Sequence, residues 1–288
     1  MSPLIDSLLS GDINLNPGSA TLAHSITFSH LNIRSASSVT PDLNKPAVLQ
    51  HFIIDSNIDI IALSETWLSP EPALSTLNSL TPTNFSLIHA PRHGKTGGGL
   101  AFIYRSSYKV SKLPISEFTS FESLAVRITL ASSSLTILNI YRPPSTSKTV
   151  FLSEFSTLLE DLVSLPSEIL ITGDFNFHLD EPVPLPDVPF LTLLDCFSLT
   201  QHVSFPTHSS NHTLDLLITR STAEFLSSVS FTDPGLSDHL AILSKLTLHC
   251  NTRPSRITKT VRAFHAADPE KFSADVFSSS LFLYPPLL

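Results

Sequence analysis

The sequence predicts an α/β fold in which two mostly antiparallel β-sheets pack face to face and are flanked by helices. Three observations lead there. Short aliphatic or β-branched runs, each bounded by turn residues, recur along the chain from residue 26 to residue 248. Segments with helical spacing are few and widely separated. Hydrophobic residues make up 42% of the 288, enough to build a sizeable core and to exclude wholesale disorder.

In chain order, residues 1–24 read as a poorly structured leader, a short apolar segment followed by Gly and Pro breakers. Strands are expected, by length and flanks, at 26–33, 58–63, 85–89, 100–104, 123–130, 135–141, 169–172, 214–219 and 241–248. A helix is expected over 45–56, after a Pro-Asp-Leu-Asn start signal, and another over 150–165, where apolar residues return every three or four positions. Residues 189–197 predict a third, shorter helix. The stretch 181–189, EPVPLPDVP, is too rich in proline for regular structure and reads as a surface loop. After Leu248 the periodicity stops, and Arg253, Arg256, Lys259 and Arg262 recur every third residue. That strip reads as a solvated face or, more sharply, as basic residues that help hold a phosphate backbone. The organisation expected is a leader over 1–24, one catalytic domain over 25–249, and a linker or truncated extension over 250–288.

Composition removes several classes of function. Lys plus Arg (17) against Asp plus Glu (25) leaves a net charge of -8, which argues against a protein that coats nucleic acid by charge alone. Cys196 and Cys250 are too few for a disulfide framework or a four-thiolate zinc site, so a reduced, intracellular setting is the default. No apolar run approaches the roughly 18 residues of a membrane-spanning helix, so no membrane partner is expected. No Lys or Arg precedes the first apolar residues, so no secretory signal is expected.

The informative residues are polar ones at strand ends, where a rigid scaffold presents an accessible tip. Asn32 ends the first run and Glu65 follows the second. Tyr141 and Arg142 close the 135–141 run, Asp174 and Asn176 follow the 169–172 run, and Asp238 with His239 opens the last. Asp215 lies inside the apolar run TLDLLIT, where an unpaired carboxylate would be costly. Singly, each reads as a cap, a turn former or a satisfied buried group. Together they suit one task. Oxygen ligands (Glu65, Asp238, Asn32) suit a hard cation such as Mg²⁺, with Mn²⁺ as the alternative ion. Asp174 and Asn176 would orient and deprotonate a water, and fall on one face if their segment stays extended. Asp215 and His239 form an acid–imidazole pair able to meet a phosphoryl oxygen. The chemistry is hydrolysis of a phosphate ester.

At these residues the sequence resembles the endonuclease/exonuclease/phosphatase superfamily, from about Ser25 to Leu248 and with the motif order kept. GDFN in the middle and SDH near the end are its most specific elements. LNIRS, IDIIALSETWL, the stretch from Arg92 through Gly97–Gly99, YRPP and HTLDLLIT are similar to the endonuclease domain of LINE-type (non-LTR) retrotransposons. The resemblance implies a four-layer α/β sandwich and a Mg²⁺-dependent nickase that opens target DNA to prime reverse transcription. It also implies catalytic roles for Asp174, Asn176, His239, Asp215 and Tyr141, metal ligation by Glu65, Asp238 and Asn32, and substrate binding by Arg142, Thr207 and His212. DNA is the implied partner and the nucleus a compartment consistent with it. A reverse transcriptase domain, expected in a full-length element, does not follow, so the chain reads as a fragment. The enzymatic alternative is a phosphoesterase acting on inositol phosphates or lipids; the non-enzymatic one is an inactive retroelement remnant. Abasic-site endonucleases carry an acid two residues after the first Asn, where this chain has Arg34. The Gly97–Gly99 run is not followed by the Lys-Ser/Thr of a P-loop and reads as a turn into the next strand. The only tryptophan, Trp67, is expected to pack in the core beside Glu65.

Overall fold

Aliphatic residues that bury both faces of a strand force it to the middle of a sheet, and this rule orders the chain. The structure, a computed structural model, describes residues 21–92, 94, 97–177, 179, 188–251 and 268–279. One sheet contains β1 (Thr21–Asn32), β2 (Ile60–Ser64), β3 (Phe85–Ala90), β4 (Leu100–Arg105), β11 (Leu226–Thr232) and β12 (Ala241–Asn251), in the order β11-β12-β1-β2-β4-β3. The other contains β5 (Lys109–Leu113), β6 (Glu122–Thr129), β7 (Ser134–Tyr141), β8 (Glu168–Asp174), β9 (Leu199–Gln201) and β10 (Asp215–Arg220), in the order β5-β6-β7-β8-β10-β9. Every neighbouring pair is antiparallel except β1/β2 and β7/β8. Each sheet thus has one parallel pair, at its centre.

The helices are α1 (Lys45–Asp55), α2 (Leu74–Leu80), α3 (Lys148–Val163) and α4 (Val188–Cys196). Asn44 and Ser147 cap α1 and α3 by accepting the amides of Ala47 and Val150. Strand alternation sorts the core into layers. Ile60 and Ala62 of β2 face Leu170 of β8 between the sheets, in a cluster that also holds Phe28 and Phe102. Ile61 and Leu63 turn the other way, onto Leu49 and Ile53 of α1. Ile169 and Ile171 turn outward onto Phe151 and Phe155 of α3. The result is the expected helix–sheet–sheet–helix sandwich.

Strands β5, β9 and β11 are not among those expected from the sequence, and all lie at or next to a sheet edge. KVSKL and LSSVSFT are largely solvated, so they lack the apolar density that marks a central strand. The main unit spans Gly18–Thr252; Met1–Pro17 with Arg253–Leu288 form a second. In the second, α5 (Pro269–Phe277) follows Asp268, whose side chain accepts the amides of Glu270 and Lys271. This helix falls within the stretch expected as a linker or truncated extension. The Arg253–Arg262 strip, residues 1–20, His178 and residues 180–187 lie outside the described residues.

Candidate active site

The parallel pairs decide where the polar strand ends meet. In β1/β2 the register pairs Asn32 with Ser64, so Asn32 and Glu65 emerge side by side. In β7/β8 it pairs Tyr141 with Asp174, and the antiparallel β8/β10 pair sets Asp174 opposite Asp215. The Asn32 side-chain amide joins the two sheets at this end: Nδ2 donates to Glu65 Oε1 at 3.0 Å and to Asp174 Oδ2 at 2.9 Å. Glu65 Oε2 accepts from the Trp67 indole at 3.1 Å. Glu65 and Trp67 both have left-handed backbone, at φ 52° and 55°, a strained pairing that turns the two side chains to the same mouth. Trp67 is 46% exposed, which corrects the expectation of core packing.

The Tyr141 phenol lies beside the Glu65 carboxylate. Burial, then the charges of Glu65 and Asp174, hold its pKa well above the ordinary range, so it stays a donor. The Arg92 guanidinium lies over the Tyr141 ring at 5.3 Å and pairs with Glu122, whose Oε2 accepts the Gly99 amide at 2.6 Å. Thr66 and Trp67 donate their amides to the carbonyls of Gly99 and Gly98. The glycine run is thus a strap against the Glu65 turn, leading into β4.

Asp174 ends β8 and the chain turns at once. Asn176 has φ 53°, so the segment does not stay extended, and the pair is set by a turn in which the Asn176 amide donates to Asp174 Oδ1 at 3.1 Å. Phe175 and Phe177 anchor that turn in the helix-side core, against Phe151 and Phe190. Burial, reinforced by Asp215, pushes the Asp174 carboxyl up to about 8. Asp215 Oδ2 meets His239 Nδ1 at 2.8 Å. Burial pulls the imidazole down, but the charge and hydrogen bond of Asp215 outweigh it and hold His239 at about 9. For Asp215 itself, burial pushes upward and His239 overcomes it, leaving the carboxylate below its usual range.

Two expected substrate contacts, Arg142 and Thr207, turn their side chains inward. Arg142 is 1% exposed and spends its guanidinium on the carbonyls of Phe175, Asn176 and Thr146, at 3.2, 3.1 and 2.6 Å. It stacks over Phe177 at 4.8 Å and pins the Asp174 turn from behind. Thr207 is fully buried, and its hydroxyl accepts the amides of Leu214 and Asp215 at 3.0 Å each. The His212 carbonyl closes the turn back to the amides of Thr207 and His208. Arg142→Leu is expected to lower stability by about 2–4 kcal/mol, because one buried and two part-buried carbonyls lose their donor. Denaturant unfolding beside KM checks this; a raised KM at unchanged stability would restore Arg142 as a substrate contact.

Asp238 stands at the rim, held by Arg34 Nη1 at 2.5 Å, while Ser237 Oγ donates to the Asn32 carbonyl at 2.5 Å. Sequence reasoning missed His30. It is fully buried, with Nδ1 3.6 Å from Asp215 Oδ1 and Nε2 3.4 Å from Ser64 Oγ. Burial lowers its pKa to about 4, so it remains neutral. The signal was available: Ile26, Phe28, His30 and Asn32 share one face of β1, and a polar pair ending an apolar row marks the approach to a site.

The arrangement is short of positive charge. Glu65 and Asp174 share one neutral amide, and among the described residues no Lys or Arg bonds either. Asp238 Oδ1 is buried without a hydrogen-bond partner. A hard-oxygen donor set in which only Asp238 meets an arginine, while Glu65 and Asp174 meet none, fits a divalent ion.

The model of the endonuclease/exonuclease/phosphatase family matches residues 29–239. Among solved structures, the endonuclease domain of TRAS1, a telomere-specific non-LTR retrotransposon, aligns at 14% identity with a TM-score of 0.59, covering 77% of this chain and 98% of that one. The AP endonuclease LMAP from Leishmania major aligns at 14% identity with a TM-score of 0.62, covering 77% and 87%. The 3′ phosphatase NExo from Neisseria, bound to product DNA hairpin, aligns at 16% identity with a TM-score of 0.56, covering 77% and 99%. At such identities the likeness is one of fold. No curated protein gives a match. With the family's model spanning most of the main unit, and the polar strand ends gathered at one end of the sandwich, the chain belongs to the endonuclease/exonuclease/phosphatase family.

Proposed function

We propose that this chain is a Mg²⁺-dependent DNA endonuclease of retrotransposon origin that nicks one strand of a duplex. The observation that carries the reading is the bridge from Glu65 through Asn32 to Asp174, set beside the Asp215–His239 pair. Glu65, Asp238 and Asn32 would hold the cation, which when bound neutralises phosphoryl charge. Asp174, pushed up to about 8, gives its proton to solvent as pH rises through that value; as the carboxylate it accepts the proton of an attacking water, and Asn176 fixes the turn that aims it. His239, kept as imidazolium by Asp215, donates to a phosphoryl oxygen. Tyr141 donates through its phenol beside Glu65. A groove of about 600 Å³ lined by Arg92, Lys112, Phe118 and Thr146 gives an extended strand a place to lie. The likeness to the TRAS1 endonuclease domain supports DNA as substrate, and by the same reading a reverse transcriptase is the functional partner.

Supercoiled plasmid tests the proposal. The expected result is relaxed circular product with Mg²⁺ or Mn²⁺ and none with EDTA. Release of phosphate from inositol phosphates without nicking would replace it with the phosphoesterase reading, and inertness toward both would mark an inactive remnant.

A further inference from the structure

The turn after β9 brings another imidazole to this end of the sandwich. His208 forms an isolated backbone bridge with His239, and the two rings meet edge to face at 4.7 Å. His208 Nε2 stands 3.4 Å from Asp238 Oδ2. One donor atom from each of His208, Asp238 and His239 falls within 4.8 Å of the others. In both imidazoles Nδ1 already meets an oxygen: Asp215 Oδ2 at 2.8 Å for His239, and Ser210 Oγ at 2.6 Å for His208. The Ser210 amide also points at His208 Nδ1, at 3.1 Å. Nε2 is therefore the nitrogen each ring has left for a ligand. His239 is only 6% exposed, yet no described residue hydrogen-bonds its Nε2.

Two imidazoles and one carboxylate, with each ring backed at its far nitrogen by an oxygen, suit a borderline transition ion better than hard Mg²⁺. We propose that His208, Asp238 and His239 form a transition-metal site, and that Zn²⁺ bound there takes His239 out of the reaction and stops Mg²⁺-dependent nicking. Binding releases the Nε2 proton of His239 to solvent and shifts that of His208 to Nδ1, which then donates to Ser210 Oγ and gives up the Ser210 amide, leaving two neutral ligands. It also releases Arg34 from Asp238, a small movement for a side chain 58% exposed. The inhibitory half of the inference rests on the endonuclease reading; the binding half does not.

The experiment uses the full chain, free of any histidine tag. Co²⁺ is titrated with visible absorption as the readout, Zn²⁺ is competed against it, and Zn²⁺ inhibition of nicking is measured at saturating Mg²⁺. The wild type is expected to give the absorption band of low-coordinate Co²⁺. His208→Asn is expected to bind Zn²⁺ at least about 10-fold more weakly and to need at least about 10-fold more Zn²⁺ for half inhibition, with nicking in Mg²⁺ alone unchanged. Asp238→Asn, read by binding alone, should weaken Co²⁺ similarly if His208→Asn proves misfolded by circular dichroism. Equal Zn²⁺ affinity in wild type and folded variants would overturn the site. A wild type that binds Co²⁺ but never nicks DNA would sink the endonuclease reading and leave the site standing.

Discussion

Asp174→Asn is expected to cut Mg²⁺-dependent nicking by about 10²–10⁴-fold, the range for a lost general base, while raising thermal stability. Both effects have one cause. The Asp174 carboxyl is pushed up to about 8 by burial and then by Asp215. Its unfolded value is about 3.9, so between the two values the native state holds more protons than the unfolded state, and stability falls as pH rises. Asparagine has no charge to bury. Its carbonyl can still accept the Asn176 amide, although the bond from Asn32 Nδ2 is lost where two amide NH₂ groups meet. In EDTA the melting temperature of Asp174→Asn should exceed that of the wild type, by a gap that widens from about pH 5 to about pH 8. His239 acts in the same direction. Burial opposes its proton, but Asp215 holds its pKa at about 9, so the stability it contributes is complete below about 6.5 and lost as pH rises through about 9. A gap that stays constant with pH, or full nicking by the variant, would contradict the assignment.

The second large effect belongs to the residue before it. Gly173 has φ 146°, and in the parallel β7/β8 pair it lies opposite Ile140. A Cβ there would run into the backbone carbonyl of Ile140. Backbone of a central strand pair cannot yield as a side chain tip can, so β7 and β8 would have to part. Gly173→Ala is expected to cost about 3–5 kcal/mol, at the upper end for a single substitution. Any folded fraction should also nick poorly, because moving β8 draws Asp174 away from Asn32. Guanidinium unfolding measures the first effect; a loss below about 1 kcal/mol would show that the strands accommodate the methyl group.

How much was legible from the chain depended on where each residue sits. The central strands announced themselves because both faces are buried, as in IIALS of β2. The edge strands β5 and β11 did not, since half their surface is water and their composition is that of a loop. Glu65, Asp174 and Asp215 were legible as acids at the ends of apolar runs or inside them. Arg142 misled because an arginine beside a candidate phenol has two physical uses, and only the packing of Phe151, Phe175 and Phe177 shows that this one holds backbone carbonyls. Thr207 misled in the same way, as a hydroxyl used inward on the amide of Asp215. His30 and His208 were passed over because each lies apart in sequence from the acid it faces.

From the amino acids alone came the layered architecture, the identity of the chemical groups and the strand ends that carry them, because burial and periodicity are properties of short stretches. The tertiary structure alone decided which groups meet. One parallel pair in each sheet sends Asn32 with Glu65, and Tyr141 with Asp174, to a shared end of the sandwich, and β10 runs antiparallel so that Asp215 begins where Asp174 stops. Register between distant strands is set by the whole sheet, and no local pattern contains it.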